Sequence, residues 1–461
     1  MRDRFPWLLA LLYAALFTFL GTVKYEAHRN LVDFGIFAQT AASAFGCFCN
    51  SIEGSHWAFH FSPVLYLAGA LLRAWPSPFA LIALQSVACA LVIPPVYALI
   101  AGRAGRNVAR LGALVVALYP ALGGLAFVDF HENQFAPAFI AWLTWAWESG
   151  YAIAGVLFAL GAIAVKEDQA LFVGVAAGVS AWRFRRTMPG RVALGVAVAA
   201  FACAFAFFAW IQPHHAANPN WSPERFYAWR EADLRALFPV GIIERLGFIV
   251  LAFAPLGFLP FRSRFMWFAV LPLAEVLLSR MSTTFTLGTH YAGAWLGWVL
   301  VAFALAVRRL PPQGASRWLK ICIALCVLEL AVANPLHPGL NLRAPQARDR
   351  ALDAALAALR PDVWVATQEE AYTHLALRDP NATLLPERAG VAEAACYILV
   401  DLDYPDSPRL QEYGGEVRQL VKSGRYSLVT SNGGIELYRA SRSCTPAATA
   451  PGQAPSARIA R

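Results

Sequence analysis

Charged side chains are scarce in this 461-residue chain: Asp, Glu, Lys and Arg together make up 15% of it, against roughly 25% in an ordinary soluble domain. Lysine is scarcest of all, with Lys24, Lys166, Lys320 and Lys422 among 38 basic residues. That shortage excludes a simple soluble enzyme. Other absences narrow the field further. Thr22-Val23-Lys24-Tyr25-Glu26-Ala27, after the first apolar run, holds no small-x-small cleavage site, so an uncleaved anchor with residue 1 in the cytoplasm is expected rather than a signal peptide. No CxxC pair occurs, which argues against a thiolate metal site at Cys47-Phe48-Cys49 despite His56 and His60 nearby. No internal repeat is visible, and a secondary transporter commonly carries one.

What the chain has instead is apolar sequence: 58% hydrophobic residues and a mean hydropathy of +0.49. About 20 helical residues cross about 30 Å of hydrocarbon, and run after run is available between Trp7 and Ala333. The expected spans are Trp7 to Val23, Leu81 to Ala101, Val108 to Val128, Gln134 to Trp147, Ala152 to Val165, Ala170 to Arg183, Val192 to Gln212, Leu246 to Phe261, Phe265 to Leu278, Tyr291 to Val307 and Trp318 to Ala333. The fold class is thus an α-helical polytopic membrane protein of about 11 spans, with residues 1–334 as its transmembrane domain.

The net charge of +9 and pI near 9.3 read as topology rather than nucleic-acid binding, because basic residues collect in short cytoplasmic loops. Arg103, Arg106 and Arg110, then Arg183, Arg185, Arg186 and Arg191, then Arg262 and Arg264, then Arg308, Arg309, Arg317 and Lys320 all fall inside this threading. Nearly all carboxylates and every histidine fall outside, so titratable chemistry is expected on one face of an inner-membrane protein. Past Ala333, Pro335, Pro338 and Pro345 lead into a polar segment, 345–442, which reads as a small extracytoplasmic α/β cap. Its helices are Gln346 to Leu359, Glu369 to Ala376 and Ser407 to Ser423. Its strands are Val363 to Ala366, Ala382 to Leu385 and Tyr397 to Asp401, with a hairpin around Asn432-Gly433-Gly434. The composition of 443–461 cannot bury a core, so a disordered tail is expected. Cys47, Cys49, Cys396 and Cys444 face an oxidising space where disulfides form, although Cys396 opens a buried strand pattern.

Three segments on the outer face carry candidate chemistry. Asp33, in Asp33-Phe34-Gly35-Ile36-Phe37, is either a general base or cation ligand just above the membrane, or the cap of the helix running to Phe45. His56 and His60 would share one helical face. Phe127-Val128-Asp129-Phe130-His131-Glu132-Asn133 would set Asp129 and His131 side by side in a lined cleft if extended, or be a plain polar loop. Lys166-Glu167-Asp168 holds a phosphate or pairs internally. Ser222-Pro223-Glu224 starts an expected interfacial helix bearing Arg225, Arg230 and Arg235, which gates a lipid or lies inert. Glu275 and Glu329 stand within apolar spans, and Thr289-His290-Tyr291 opens another.

Together with His60-Phe61-Ser62-Pro63 and Tyr119-Pro120, these segments resemble domain of unknown function family 2079, predicted bacterial integral-membrane proteins, over roughly residues 10 to 440. That family looks related to the GT-C glycosyltransferases, which take a sugar from a polyprenyl-phosphate carrier on the outer membrane face. The GT-C layout has an acid in the first outer loop, short juxtamembrane helices, a second acid after the third span and often an outer C-terminal domain. Asp33, the stretch Phe59 to Trp75, Asp129 and the segment after Pro345 match that order. Many GT-C enzymes pair acids in the first loop, whereas Asp33 stands between Val32 and Phe34.

The resemblance implies sugar transfer to an envelope glycan, lipid or protein acceptor. It assigns catalysis to Asp33 as base, with Asp129 and His131 positioning acceptor or cation. Substrate binding falls to His60, Lys166, Glu167, Asp168, Arg225, Arg230, His290 and Tyr291. It admits a divalent cation, Mg or Mn, without requiring one. The rival is a non-catalytic transporter or receptor for an envelope lipid or glycan, and a third reading is a structural partner in an envelope complex.

Overall fold

The computed structural model describes residues 3–215, 224–227, 241–334, 336, 342–359, 363–385, 395–404 and 410–442. Helices α1 (Phe5–Glu26), α2 (Val32–Ala42), α3 (Leu65–Ala74), α4 (Pro78–Ala90), α5 (Ile93–Ala104), α6 (Arg106–Leu118), α7 (Pro120–Phe127), α8 (Ala136–Glu148), α9 (Ala152–Ile163), α10 (Glu167–Arg183) and α11 (Met188–Ala206) come first. Further on lie the helices Ile242–Phe253, Val270–Leu278, Ala292–Val307 and Pro312–Val332. Each of the eleven expected apolar runs therefore carries helix. Among the described residues, three helices are long and apolar enough to cross a membrane alone, Phe5–Glu26, Pro78–Ala104 and Met188–His215, and a fourth if the bent pair Arg106–Leu118 and Pro120–Phe127 is one span.

Proline sets the breaks. It occupies the first turn of α1, α4, α5, α7, α8 and α11, where its missing N–H is not needed. Pro120 starts α7 after Tyr119 and bends the Val108 to Val128 run by 48°. The helix Ala292–Val307 is buried along its entire length, as an all-apolar helix must be. Gly293 and Gly297 press on the backbone of Asn133 and Pro137, where no side chain fits. Outward faces stay apolar, with Leu8, Leu11, Leu12, Leu16 and Phe19 exposed on α1 and Leu194, Val198 and Phe205 on α11. Hydrocarbon is the solvent that such a surface suits.

The C-terminal region is a five-stranded sheet. Strands β1 (Cys49–Asn50) and β2 (Gly54–Ser55) form a separate short hairpin, whereas β3 (Val365–Thr367), β4 (Thr383–Leu384), β5 (Tyr397–Asp401), β6 (Tyr426–Asn432) and β7 (Ile435–Ala440) run in the order β4-β3-β5-β7-β6. β4, β3 and β5 are parallel, and β5, β7 and β6 antiparallel. Alternation along β5 divides the faces: Leu399 packs with the helices Ala347–Ala358 and Glu369–Leu375, and Ile398 and Val400 with Leu410–Lys422.

The first of these faces is seated on α2. Phe34, Ile36 and Phe37 share a core with Leu352, Leu356, Tyr372 and Leu375. Gly35 lies so close to the Tyr372 ring that a Cβ would overlap it. The Tyr372 hydroxyl donates to Gln39 Oε1 at 3.0 Å, and Gln39 Nε2 donates to the carbonyls of Asp379 and Ala382. α2 is thus held by the helices of the C-terminal region as well as by α3.

One alternative drops out: Leu31, not Asp33, is the N-cap of α2, and no side chain caps it. The Cys47 and Cys49 thiols are joined in a disulfide, as an oxidising space allows, and Cys396 is disulfide-bonded as well as buried. Of the expected interfacial helix, Glu224–Tyr227 is helical, while the remainder, Arg230 and Arg235 included, and the tail 443–461 lie outside the described residues.

Candidate functional site

Asp129 follows the last turn of α7 and lies at the start of α2. Its Oδ1 accepts from Lys24 Nζ at 2.7 Å and Asn30 Nδ2 at 2.9 Å, and its Oδ2 accepts from the Leu31 backbone N–H at 2.7 Å. Lys24 also donates to the Phe127 carbonyl. Both side chains of this ion pair are about 95% buried. Removing one partner from such a pair typically costs about 3–5 kcal/mol, because the other charge stays buried. Asp129 therefore ties three chain segments together at the first turn of α2.

Asp33 stands on that same turn and faces the other way. Two-fifths of its side-chain surface is reachable, and its Oδ2 lies 3.6 Å from His290 Nδ1. A polar strip runs on from there. The His290 and His131 rings stack at 3.9 Å, only 6° from parallel. His131 Nδ1 lies 2.7 Å from Glu132 Oε2, and Glu132 Oε1 lies 4.0 Å from Lys166 Nζ. Lys166 also faces Asp168 at 3.7 Å. On the flank, His60 Nδ1 meets Glu167 Oε1 at 2.9 Å, and the Phe61 N–H donates to Glu167 Oε2. The Glu275 carboxyl abuts that of Asp168. Phe37 closes over His131 at 4.0 Å, so α2 contributes both an acid and an aromatic wall.

Enclosure separates the protonation states. Burial pushes Asp33 up to about 7, and the carboxylates of Asp129, Glu53, Glu132 and Glu369 add to the rise. Burial, with Lys166 close by, holds both His131 and His290 well below the imidazole range, so they stack as neutral rings. Burial and Lys166 pull His60 down, but Glu167 outweighs them and raises it. Burial lifts Asp168 to about 6, because Glu167 and Glu132 reinforce it against the pull of Lys166. Lys166 stays charged: burial opposes its proton, yet Asp168, Glu132, Glu167 and Glu275 more than offset that. One end of the strip is thus an acid poised near neutrality, and the other a fixed ammonium.

Glu132 is fully buried, its Oε2 against His131 Nδ1 and its Oε1 toward Lys166 Nζ. It and Asp33 are the hard oxygen donors that Mg2+ or Mn2+ takes. Among the described residues, however, no three ligand atoms of this cleft gather closely enough to cage an ion. Water or substrate oxygens would have to complete any such shell.

A family model described as "Predicted membrane protein (DUF2079)" matches residues 28–437. The chain belongs to the DUF2079 family. No curated protein matches it in sequence. Among solved structures, this DUF2079 chain is similar to ArnT from Cupriavidus metallidurans bound to undecaprenyl phosphate, with a TM-score of 0.58 at 12% identity, covering 93% of this chain and 97% of that one. The apo state of the same protein gives 0.54 over the same coverage and identity. An Archaeoglobus fulgidus oligosaccharyltransferase tethered to an acceptor peptide gives 0.41 at 12% identity, over 87% of this chain and 70% of that one, too loose a match to add weight. The ArnT likeness shows the fold alone. At this identity it transfers no residue roles.

Most of the residues singled out in the DUF2079 sequence do meet. Asp33, His60, His131, Lys166, Glu167, Asp168, His290 and Tyr291 line one continuous region, with Tyr291 against the His290 ring at 4.1 Å. Asp129 and His131 do not lie side by side: the chain turns between them, Asp129 toward Lys24 and His131 toward His290. Arg225 lies in the short helix Glu224–Tyr227, its side chain outside the described set, as is Arg230 entirely. Sequence reading passed over Lys24, Glu53 and Glu369. Lys24 carried a signal, since a lysine at the end of an apolar span needs a partner. Glu369 carried none, because only folding brings it near Asp33.

Proposed function

We propose that the chain is a membrane glycosyltransferase of about eleven spans, its N-terminus cytoplasmic and its C-terminal sheet extracytoplasmic, that moves a sugar from a polyprenyl-phosphate donor to an envelope acceptor. The observation that carries this reading is the reachable Asp33 carboxyl, lifted toward neutrality, on an ArnT-like fold. ArnT binds undecaprenyl phosphate in one of its structures, and a donor of that kind suits a polar strip on a chain whose helices keep apolar outer faces.

In this mechanism the ionised Asp33 takes the proton of an acceptor hydroxyl while that oxygen bonds to the anomeric carbon. The bond from that carbon to the phosphate oxygen breaks, and the electron pair leaves with the lipid phosphate. Lys166, kept charged by its carboxylates, faces the departing anion, with Arg225 or Arg230 closing from the segment that follows α11. Attack opposite the leaving group inverts the anomeric centre. His290 and Tyr291 orient the acceptor, His131 backs His290, and His60 with Glu167 and Asp168 shapes the donor side. Asp129 holds α2 in place rather than touching substrate. Asp33 and Glu132 are the residues that would hold a Mg2+ or Mn2+ ion, which would supply charge for the phosphate.

The test is transfer of label from radiolabelled polyprenyl-phosphate sugars in membranes carrying wild type or Asp33→Asn at equal abundance. Transfer by wild type alone supports the reading. Equal transfer by the variant overturns the mechanism by removing Asp33 from the base role, and no donor consumed across a broad panel overturns the reading in favour of a receptor or transporter.

A further inference from the structure

A second cluster lies where the C-terminal region meets the first loop. His28 follows α1, Asp353 sits on the helix Ala347–Ala358, and His374 on the helix Glu369–Leu375. One ligand atom from each lies within 4.8 Å of the others. Asp353 Oδ1 is 2.9 Å from His28 Nε2 and 3.6 Å from His374 Nδ1. His28 is wholly buried, His374 nearly so, and Asp353 is half exposed.

The far side of each ring makes the cluster more than a chance grouping. His374 Nε2 lies 3.0 Å from the Tyr25 carbonyl, and His28 Nδ1 lies 3.4 Å from that of Glu370. A carbonyl only accepts, so a ring N–H directed at each carbonyl frees the other nitrogen of that ring to present a lone pair toward Asp353. In that arrangement two imidazole nitrogens and a carboxylate oxygen face one another, a donor set that a positive ion between them would satisfy. A metal-bound histidine shows this same outer arrangement, with its second N–H donated to a backbone carbonyl that fixes the tautomer.

A hydrogen bond is the alternative to a metal: an N–H at His28 Nε2 would donate to Asp353 Oδ1 at 2.9 Å, but His374 Nδ1, 3.6 Å from the same oxygen, would stay unmatched. His374 is enclosed between the Tyr25 and His28 rings, stacked at 4.0 and 3.7 Å. His28 is also held at φ +54°, a left-handed conformation that a β-carbon disfavours. Its carbonyl accepts from the Tyr404 hydroxyl at 2.9 Å, so the C-terminal region maintains the strain. Strain of this kind persists where surrounding structure fixes a residue for a purpose.

We propose that His28, Asp353 and His374 form a binding site for a borderline divalent transition ion of the Zn2+ class. Two imidazole nitrogens and a carboxylate suit that ion better than Mg2+ or Ca2+, which take oxygen shells. Water or the second Asp353 oxygen fills the fourth position, and the exposed side of Asp353 is the entry path. The ion replaces the short contact between His28 Nε2 and Asp353 and opens the two rings from their parallel stack. Its ligands are more than 300 residues apart in sequence, so it staples the C-terminal region to the loop that leads into α2, five residues before Asp33. The site is separate from the cleft and does not depend on the reaction proposed for it.

The experiment uses the full chain purified in detergent without a polyhistidine tag, stripped with EDTA, and titrated with Zn2+, with Mg2+ as control. The expected result is one Zn2+ bound per chain by calorimetry and a melting temperature several degrees higher, with no response to Mg2+. His374→Gln and Asp353→Asn should each lower the affinity at least tenfold, whereas Asp353→Glu should retain most of it. Co2+ in place of Zn2+ should give a tetrahedral visible absorption band, lost in His374→Gln, which reports the ligand set on wild type even where a variant folds poorly. Absence of saturable Zn2+ binding by wild type, or equal binding by wild type and both disrupting variants, overturns the site and leaves a hydrogen-bonded clamp.

Discussion

Asp33 and Asp129 flank the first turn of one helix and live in opposite surroundings. Asp129 is sealed among an ammonium, an amide and a backbone N–H. Asp33 is open on one side and ringed by Asp129, Glu53, Glu132 and Glu369. The same side chain serves in one place as a fastening and, in the proposed mechanism, as the base in the other, and the difference lies in what each faces. Donors stabilise a carboxylate's charge, whereas neighbouring carboxylates and enclosure work against it. The fastening also places the acid, because Asp129 holds the Leu31 N–H two residues from Asp33.

Variants should separate the two roles. The largest effect is expected from Asp33→Asn, which removes the base: transfer should fall by about 10²–10⁴-fold while the melting temperature stays within a degree or two of wild type. Lys24→Met should do the reverse to the fold, stranding a buried carboxylate at a cost of about 3–5 kcal/mol. Thermal melts of Lys24→Met and of the double variant Lys24→Met with Asp129→Asn check this, since neutralising Asp129 should recover much of the loss. A double variant no more stable than the single one would show that Lys24 matters through packing instead. Next comes Gly35→Ala, whose methyl overlaps the Tyr372 ring. Overpacking of that kind costs about 1–3 kcal/mol, and displacing α2 should lower transfer as well. A melt unchanged from wild type would mean that the C-terminal region is less tightly seated than its contacts imply.

The pH profile sharpens the contrast without a mutation. Asp33 works as a base only when ionised, and its carboxyl is lifted to about 7. Transfer should therefore rise with pH up to about 7 and then level off, because Lys166 keeps its proton throughout that range. A profile already flat from pH 5 would remove Asp33 from the base role.

Legibility from sequence tracked the distance over which each feature is decided. The helices were readable because apolar runs and first-turn prolines act locally, and β5 because its short buried apolar run needs only five residues. Where the apolar runs break was less readable: the 48° bend at Pro120 depends on what each half packs against. In the site, the Phe127 to Asn133 segment and Lys166-Glu167-Asp168 announced themselves by clustered charge. Asp129's partner did not, being 105 residues away in sequence. The capping expectation for Asp33 failed for a related reason. The Leu31 N–H is taken by Asp129, so the start of α2 is fixed from outside, and Asp33 is left to face the cleft.

The smallest predicted effect asks how far the sheet controls the acid. Tyr372 fills the space over Gly35 with its ring and donates its hydroxyl to Gln39 Oε1. Tyr372→Phe keeps the ring and deletes one hydrogen bond. Gln39 Oε1 would still accept from the Ser51 N–H and hydroxyl, both at 2.9 Å, so no buried acceptor is stranded. The expected loss is about 0.5–1.5 kcal/mol of stability and less than threefold in transfer, read from melts and from the labelled-sugar assay together. A much larger fall in transfer at unchanged stability would mean that the position of α2, and not its attachment alone, depends on that hydroxyl. Asp33 would then answer to the C-terminal sheet as closely as it answers to the Asp129 fastening, and the two carboxylates would be two ends of one positioning device.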